Sequence, residues 1–275
     1  MIPNANIIEW QSVAPWPNTQ LVEHDLILSK AICVLYQNPL IRENLVFRGG
    51  TALHKLFFKR SGRFSEDLDF VQIKAEPIGE TVQAVRECLD DWLGEPRRKQ
   101  SEGRFTLSYH FETEAKPVVK RKVKIEINTR EHFNVQPLIS KPFVVENSWF
   151  NGIADVFTYS LDELLGTKLR ALYQRKKGRD LYDFWYVVKY SESAINYQSI
   201  VEIFQRYIDY ARQSISRAEF ERNIIAKQSD AVFNNDILPL LTAEYAKTYE
   251  QQQAYRIVMN DFIARLPGEP WKGSE

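Results

Sequence analysis

Residues 45–51 read LVFRGGT and residues 65–70 read SEDLDF. The first stretch is a short apolar strand running into Gly49-Gly50, after which residues 51–60 (TALHKLFFKR) have helical character with Thr51 near the start. In the second, residues 67–73 (DLDFVQI) alternate as a strand. Successive side chains on a strand point to opposite faces, so Asp67 and Asp69 share one. Two adjacent carboxylates repel each other unless a cation lies between them. Mg²⁺ takes a few carboxylates together with phosphate oxygens, and this pair offers that arrangement. Asp is a poor strand former, so two in one strand need a reason. The plainer reading is the polar outer face of an edge strand.

Gly49 and Gly50 have no Cβ to hold a ligand away from the backbone. A helix starting at Thr51 aims free N–H groups at an incoming phosphate. The Thr51 hydroxyl serves either that phosphate or the helix as its cap. Taken alone, Gly-Gly-Thr is an ordinary strand-to-helix turn. Followed by Asp67 and Asp69, it points to chemistry on a nucleoside triphosphate.

Working outward, residues 21–38 are helical and stop near Pro39, and residues 79–93 form a helix ended by Gly94-Glu95-Pro96. Residues 104–111 and 123–128 are strands, joined through a turn at 114–117 into an antiparallel pair. Residues 137–160 contain Pro137, Pro142 and Gly152 and read as irregular. Beyond them the pattern predicts helices over 161–175, 180–191, 197–213, 217–227 and 242–265. The expectation is an α+β chain with domains at 1–150 and 151–275, the second mainly helical.

Hydrophobic residues make up 44% and charged residues 26%, as in a folded soluble protein. Lys plus Arg and Asp plus Glu are both 36, so attraction to nucleic acid must come from a local patch. Residues 97–99 (RRK) and 116–124 (KPVVKRKVK) are such patches, either guiding an RNA backbone or forming a solvated hairpin. The opening MIPNANIIEW lacks a signal-peptide layout, and no apolar run approaches membrane-spanning length. Cys33 and Cys88 are isolated and read as reduced core thiols, consistent with a cytoplasmic protein. The four histidines show no zinc-ligand spacing.

Three further positions carry charge where chemistry can use it. Glu126 lies on the polar face of 123–128, either as a third carboxylate that deprotonates an attacking hydroxyl or as an exposed partner of Lys124. Lys168 borders the leucine stripe of 161–172 and either snorkels to water or reaches a triphosphate. Asp180 starts the next helix, as a cap or as part of a site; ion pairs from Asp180 and Asp183 to Arg175 or Arg179 could simply lock two helices.

Together these motifs resemble a known family. Residues 47–55 (FRGGTALHK) and 63–70 (RFSEDLDF) look like the first motif of the AbiEii/AbiGii-type toxin nucleotidyltransferases. Residues 163–172 (ELLGTKLRAL), with Arg175 and 179–183 (RDLYD), resemble the second block. The resemblance covers roughly residues 45–190. The gap from Gly50 to Asp67, residues 51–66, is longer than is typical of the wider DNA polymerase β-like superfamily. The resemblance implies a small mixed sheet with helices, a helical domain completing the nucleotide cleft, and a Mg²⁺- or Mn²⁺-dependent enzyme. By position, Asp67 and Asp69 would hold the metal, and Gly49, Gly50, Thr51, Lys55, Ser65 and Arg175 would form the nucleotide site. Lys168 would bind the triphosphate and Asp180 would support the site; no motif fixes the third carboxylate, for which Glu126 is the candidate from its strand position. It also implies a phage-defence toxin restrained by an antitoxin, with an RNA acceptor, tRNA first. The same residues would serve transfer to a protein or small molecule, or a non-catalytic NTP-binding regulator.

Overall fold

All strands among the described residues lie in the first part of the chain. In the computed structural model, which describes residues 2–273, the strands end at Thr158 and the residues from Ser160 onward are helical or irregular. The chain divides into two units at Tyr159/Ser160.

The first unit runs α1 (Asn4–Trp10), α2 (Thr19–Gln37), α3 (Pro39–Asn44), β1 (Leu45–Arg48), α4 (Gly49–Phe57), β2 (Asp67–Gln72) and α5 (Gly79–Leu93). Five more strands follow: β3 (Arg97–Ser101), β4 (Arg104–Glu112), β5 (Lys120–Asn128), β6 (Ile139–Asn147) and β7 (Phe150–Thr158). They form one mixed sheet in the order β3-β4-β5-β2-β1-β7-β6. β2 is parallel to β5 and β1 to β7; the other pairs are antiparallel. Asn18 caps α2 by accepting the Leu21 N–H, and α2 is buried on all sides beneath the sheet. Tyr36 Oη, fully buried, lies 3.1 Å from the Leu45 carbonyl and 3.0 Å from that of Phe157, tying α2 to β1 and β7. The alternating apolar residues of β4 and β5, Leu107, Tyr109, Val123, Ile125 and Ile127, face that same core.

Two expectations are corrected here. Residues 137–160 are not irregular: β6 and β7 form a hairpin across 139–158. Pro142 hid it, yet β6 is the last strand of the sheet, and an end strand tolerates a residue with no N–H to give. Because β7 pairs with β1, the sheet unit extends to Tyr159. β3 had no strand signal either, since RRKQS is polar and exposed throughout.

The second unit contains α6 (Leu161–Gln174), α7 (Gly178–Tyr190), α8 (Tyr197–Tyr210), α9 (Arg217–Gln228), α10 (Ala231–Asn235), α11 (Ala243–Thr248) and α12 (Gln251–Ile257). Ser160, Asn196 and Ser216 cap α6, α8 and α9, with Glu219 completing a capping box. Gly166 lets α6 and α8 touch, because a Cβ there would lie 2.5 Å from Ile203. The single helix expected over 242–265 is broken at Tyr249-Glu250 and ends in π and 3₁₀ turns. Tyr249 explains the break: its ring turns inward against Tyr182 and Trp185. No helix among the described residues is long and apolar enough to cross a membrane.

Candidate active site

The parallel pairing of β2 with β5 sets the register that matters: Asp67 opposite Lys124, Asp69 opposite Glu126. Asp67, Asp69 and Glu126 therefore stand on one face of two adjacent strands, the face opposite the Ile125 and Leu68 side chains that enter the core. Lys124 lies among them, its Nζ 3.4 Å from Asp67 Oδ2 and 3.7 Å from Glu126 Oε1. Arg104 of β4 approaches Glu126 at 3.5 Å. Partial burial pushes the Asp67 carboxyl above its usual range; Lys124 opposes this, and the like charges of Asp69 and Glu126 add to it. Burial works against the Lys124 ammonium, but Asp67 and Glu126 outweigh it and raise its pKa. Arg104 and, from β1, Arg48 beside Asp69 add positive charge to the same face.

The glycine turn lies against the same face. Gly49 has φ +81°, and a Cβ on it would meet Asp69 Oδ2 at 2.5 Å. A side chain at Gly50 would meet the guanidinium of Arg63. Each glycine thus makes room for a charged side chain of the protein itself. Arg63 is buried and donates from Nη1 to the Phe64 carbonyl at 3.2 Å and to Ser65 Oγ at 3.0 Å. The Thr51 hydroxyl does not cap α4; it donates to the Asp67 carbonyl at 2.6 Å, joining the start of the helix to the start of β2. Arg48, in register with Asp69, pairs with Glu131 at 3.1 Å.

The other expected residues are engaged within their own units. The Lys55 ammonium is buried in an ion pair with Asp25 at 2.9 Å and a contact with Ser29 at 3.0 Å, and Trp10 Nε1 donates to the same carboxylate. It holds α4 to α2. Lys168 sits between Asp183 at 2.7 Å and Asp180 at 3.2 Å, both carboxylates fully buried. Arg175 grips Asp180 through two nitrogens at 2.6 and 2.8 Å. Burial alone would raise the Asp180 pKa; Lys168 and Arg175 overcome it and hold the carboxyl below its usual value. Asp180 lies in the first turn of α7, three residues past the Lys177 N-cap, so it does not cap that helix.

Sequence reasoning left out Lys124, Arg48 and Arg63. Lys124 was in view, on the same strand face as Glu126, and its closeness to Asp67 needed the β2–β5 register. Among the described residues no group of three His, Cys, Asp or Glu side chains is placed to hold a metal alone. Asp67 and Asp69, two carboxylates on one face of β2, fit a divalent ion that completes its shell with substrate phosphate oxygens and water.

Comparisons with known proteins bear on the fold and the family. Over 98% of the chain and 100% of the other, the fold is similar to MenT4, a nucleotidyltransferase toxin from Mycobacterium tuberculosis, with a TM-score of 0.58 and 16% identity. A nucleotidyltransferase-like protein from Paracoccidioides brasiliensis is also similar, at 16% identity and a TM-score of 0.42, over 67% of this chain and 88% of that one. No curated protein sequence matches. Residues 33–256 match the family described as nucleotidyl transferase AbiEii toxin of type IV toxin–antitoxin systems. The chain belongs to the AbiEii family of nucleotidyltransferase toxins, whose type IV systems pair such an enzyme with an antitoxin.

Proposed function

We propose that this enzyme transfers a nucleoside monophosphate from a nucleoside triphosphate to a hydroxyl at the end of an RNA, with tRNA the first acceptor to test. One observation carries the reading: the register of β2 and β5 brings the Asp67, Asp69 and Glu126 carboxylates together on one strand face. Asp67 and Asp69 would hold Mg²⁺ or Mn²⁺. When bound, that ion offsets charge on the triphosphate and on the departing pyrophosphate. Glu126 accepts the proton of the attacking hydroxyl, and Lys124 and Arg104 keep its carboxylate oriented. Ser65 and the α4 turn at Gly49 and Gly50 border the carboxylates and form the nucleotide side of the site. Gly50 and Thr51 serve it indirectly, by seating Arg63 and by fixing Asp67. Lys168 is assigned to the triphosphate, with Asp180, Asp183 and Arg175 fixing its ammonium.

The test is incubation with Mg²⁺, each α-labelled nucleoside triphosphate in turn and total bacterial RNA, followed by a denaturing gel. Label on tRNA-sized bands, lost in Asp67→Ala, is the expected result. A labelled protein or small molecule, or no turnover with any acceptor, would overturn the RNA assignment.

A further inference from the structure

The carboxylate face does not stop at β5. The antiparallel registers carry it across β4 and β3: Lys124 is opposite Ser108, which is opposite Arg97, and Glu126 is opposite Thr106, which is opposite Lys99. Lys122 and His110 form the next pair along, then Lys120 and Glu112. Partners in register project to the same side. The strand residues of the face beyond Asp67 are therefore Arg97, Lys99, Arg104, Lys120, Lys122 and Lys124 with the carboxylate Glu112, and Glu66 borders them just before β2. Arg97, Lys99, Lys120 and Lys122 are exposed, and among the described residues none of the four is in an ion pair. The aromatic residues of β4, Phe105, Tyr109 and Phe111, alternate onto the opposite side. At the strand ends the face borders a depression of about 350 Å³, lined by Glu66, Asp67, His110, Lys120 and Lys122 and reaching round to His24 and Arg121 on the other side of the sheet. His24 at its floor is 1% exposed, and neither ring nitrogen has a hydrogen-bond partner among the described residues.

We propose that the β3–β4–β5 face is the track for the acceptor strand: the sugar-phosphate backbone of an RNA crosses Arg97, Lys99 and Lys122, and its end enters the depression beside Asp67. The proposal deepens the functional reading above and rests on it for the RNA end. Strands lie about 4.8 Å apart, so the path from β3 to β2 is roughly 14 Å long, enough for more than one phosphate. With cations and no aromatic platform, the face grips backbone rather than bases, and binding should tolerate any sequence. Net neutrality of the whole chain leaves this local charge as the attraction.

Alternation supplies an internal control. Arg98 lies between Arg97 and Lys99 in sequence but opposite Leu107, on the other side of the sheet. The experiment is fluorescence anisotropy of a labelled single-stranded RNA oligonucleotide, without nucleotide, titrated with the full chain at several salt concentrations. The triple variant Arg97→Ala, Lys99→Ala, Lys122→Ala should bind at least tenfold more weakly at low salt. Its log K against log salt slope should shrink by about 2, since each single-strand phosphate contact contributes about 0.7. Arg98→Ala should bind as the parent does. Equal losses from Arg98→Ala, or an unchanged triple variant, overturn the track. A parallel transfer assay separates the two readings. Label reaching RNA undiminished in the triple variant overturns the track alone. RNA binding that follows the predicted pattern without any transfer overturns the enzymatic reading and leaves the track standing.

Discussion

Two groups of carboxylates, one in each unit, show opposite solutions to the same electrostatic problem. Asp67, Asp69 and Glu126 stand part-exposed on a sheet face, and burial and the like charges of its neighbours push Asp67 toward its protonated form. Asp180 and Asp183 are wholly buried, yet Lys168 and Arg175 supply a positive charge for each, and Asp180 is pulled toward its ionised form. A part-exposed group whose carboxylates repel one another is suited to receive a cation from solution. A group already matched is suited to fix the geometry of the helices that bear it. Depth is therefore a poor guide to function, and the balance of charge is a better one.

The largest test of this contrast is Asp67→Ala. It should reduce nucleotide transfer by roughly a thousandfold or more while leaving the thermal midpoint unchanged or slightly raised, because a mutual repulsion is removed. A fall in stability matching the fall in activity would erase the distinction between the groups. Lys168→Met should do the reverse in the helical unit. Removing one member of a buried ionic group costs about 3–5 kcal/mol, read as a lower urea midpoint. Lys168→Met combined with Asp183→Leu should recover part of that loss; no recovery would show that the two charges are not coupled. Nucleotide affinity, measured at a temperature where the single variant is folded, isolates any direct part Lys168 has in triphosphate binding.

Smaller effects sharpen the comparison. Gly49→Ala places a methyl 2.5 Å from Asp69 Oδ2 at a positive φ, so transfer should fall together with about 1–2 kcal/mol of stability. Lys124→Met removes the internal cation, and Mn²⁺ should then bind about tenfold tighter by calorimetry, equivalent to about 1.4 kcal/mol. Weaker binding would mean that Lys124 assembles the site instead of competing for it. Acid should act on the groups in sequence. Asp67 has a raised pKa, so Mn²⁺ affinity should decline while pH is still above the ordinary Asp value of 3.8. Asp180 has a lowered pKa; its stabilisation is full above its unfolded value and is lost only as pH falls below 3.8 through the folded one. Near-ultraviolet circular dichroism should therefore change at lower pH than metal binding does.

Much of this was legible in the sequence because it depends on short-range periodicity. Alternation alone put Asp67 with Asp69 and Lys124 with Glu126, and the leucine stripe placed α6. What stayed hidden depends on pairings distant in sequence. The nearness of Glu126 to Asp69 needed the β2–β5 register. Lys55, within the glycine motif, turns to Asp25, thirty residues away in sequence, because burying its ammonium there satisfies a buried carboxylate. Thr51 reads as a cap by position, but the Asp67 carbonyl lies within its reach. β3 and β6 lacked strand signals because end strands have fewer neighbours to satisfy, and polar residues or a proline suffice there.

The sheet ends differently at its two sides, and this bears on self-association. An unpaired strand edge is a template for a second copy of the same chain. At β6 the edge is interrupted by Pro142, which has no N–H to offer a neighbour. At β3 no proline intervenes, and Arg97, Arg98 and Lys99 alone would hold two copies apart through their like charge. Their repulsion is screened by salt, with a Debye length near 10 Å at 0.1 M. The protein should therefore stay dispersed most readily at low ionic strength or with a polyanion bound, and concentrated stocks in high salt should be the first to form edge-to-edge dimers through β3.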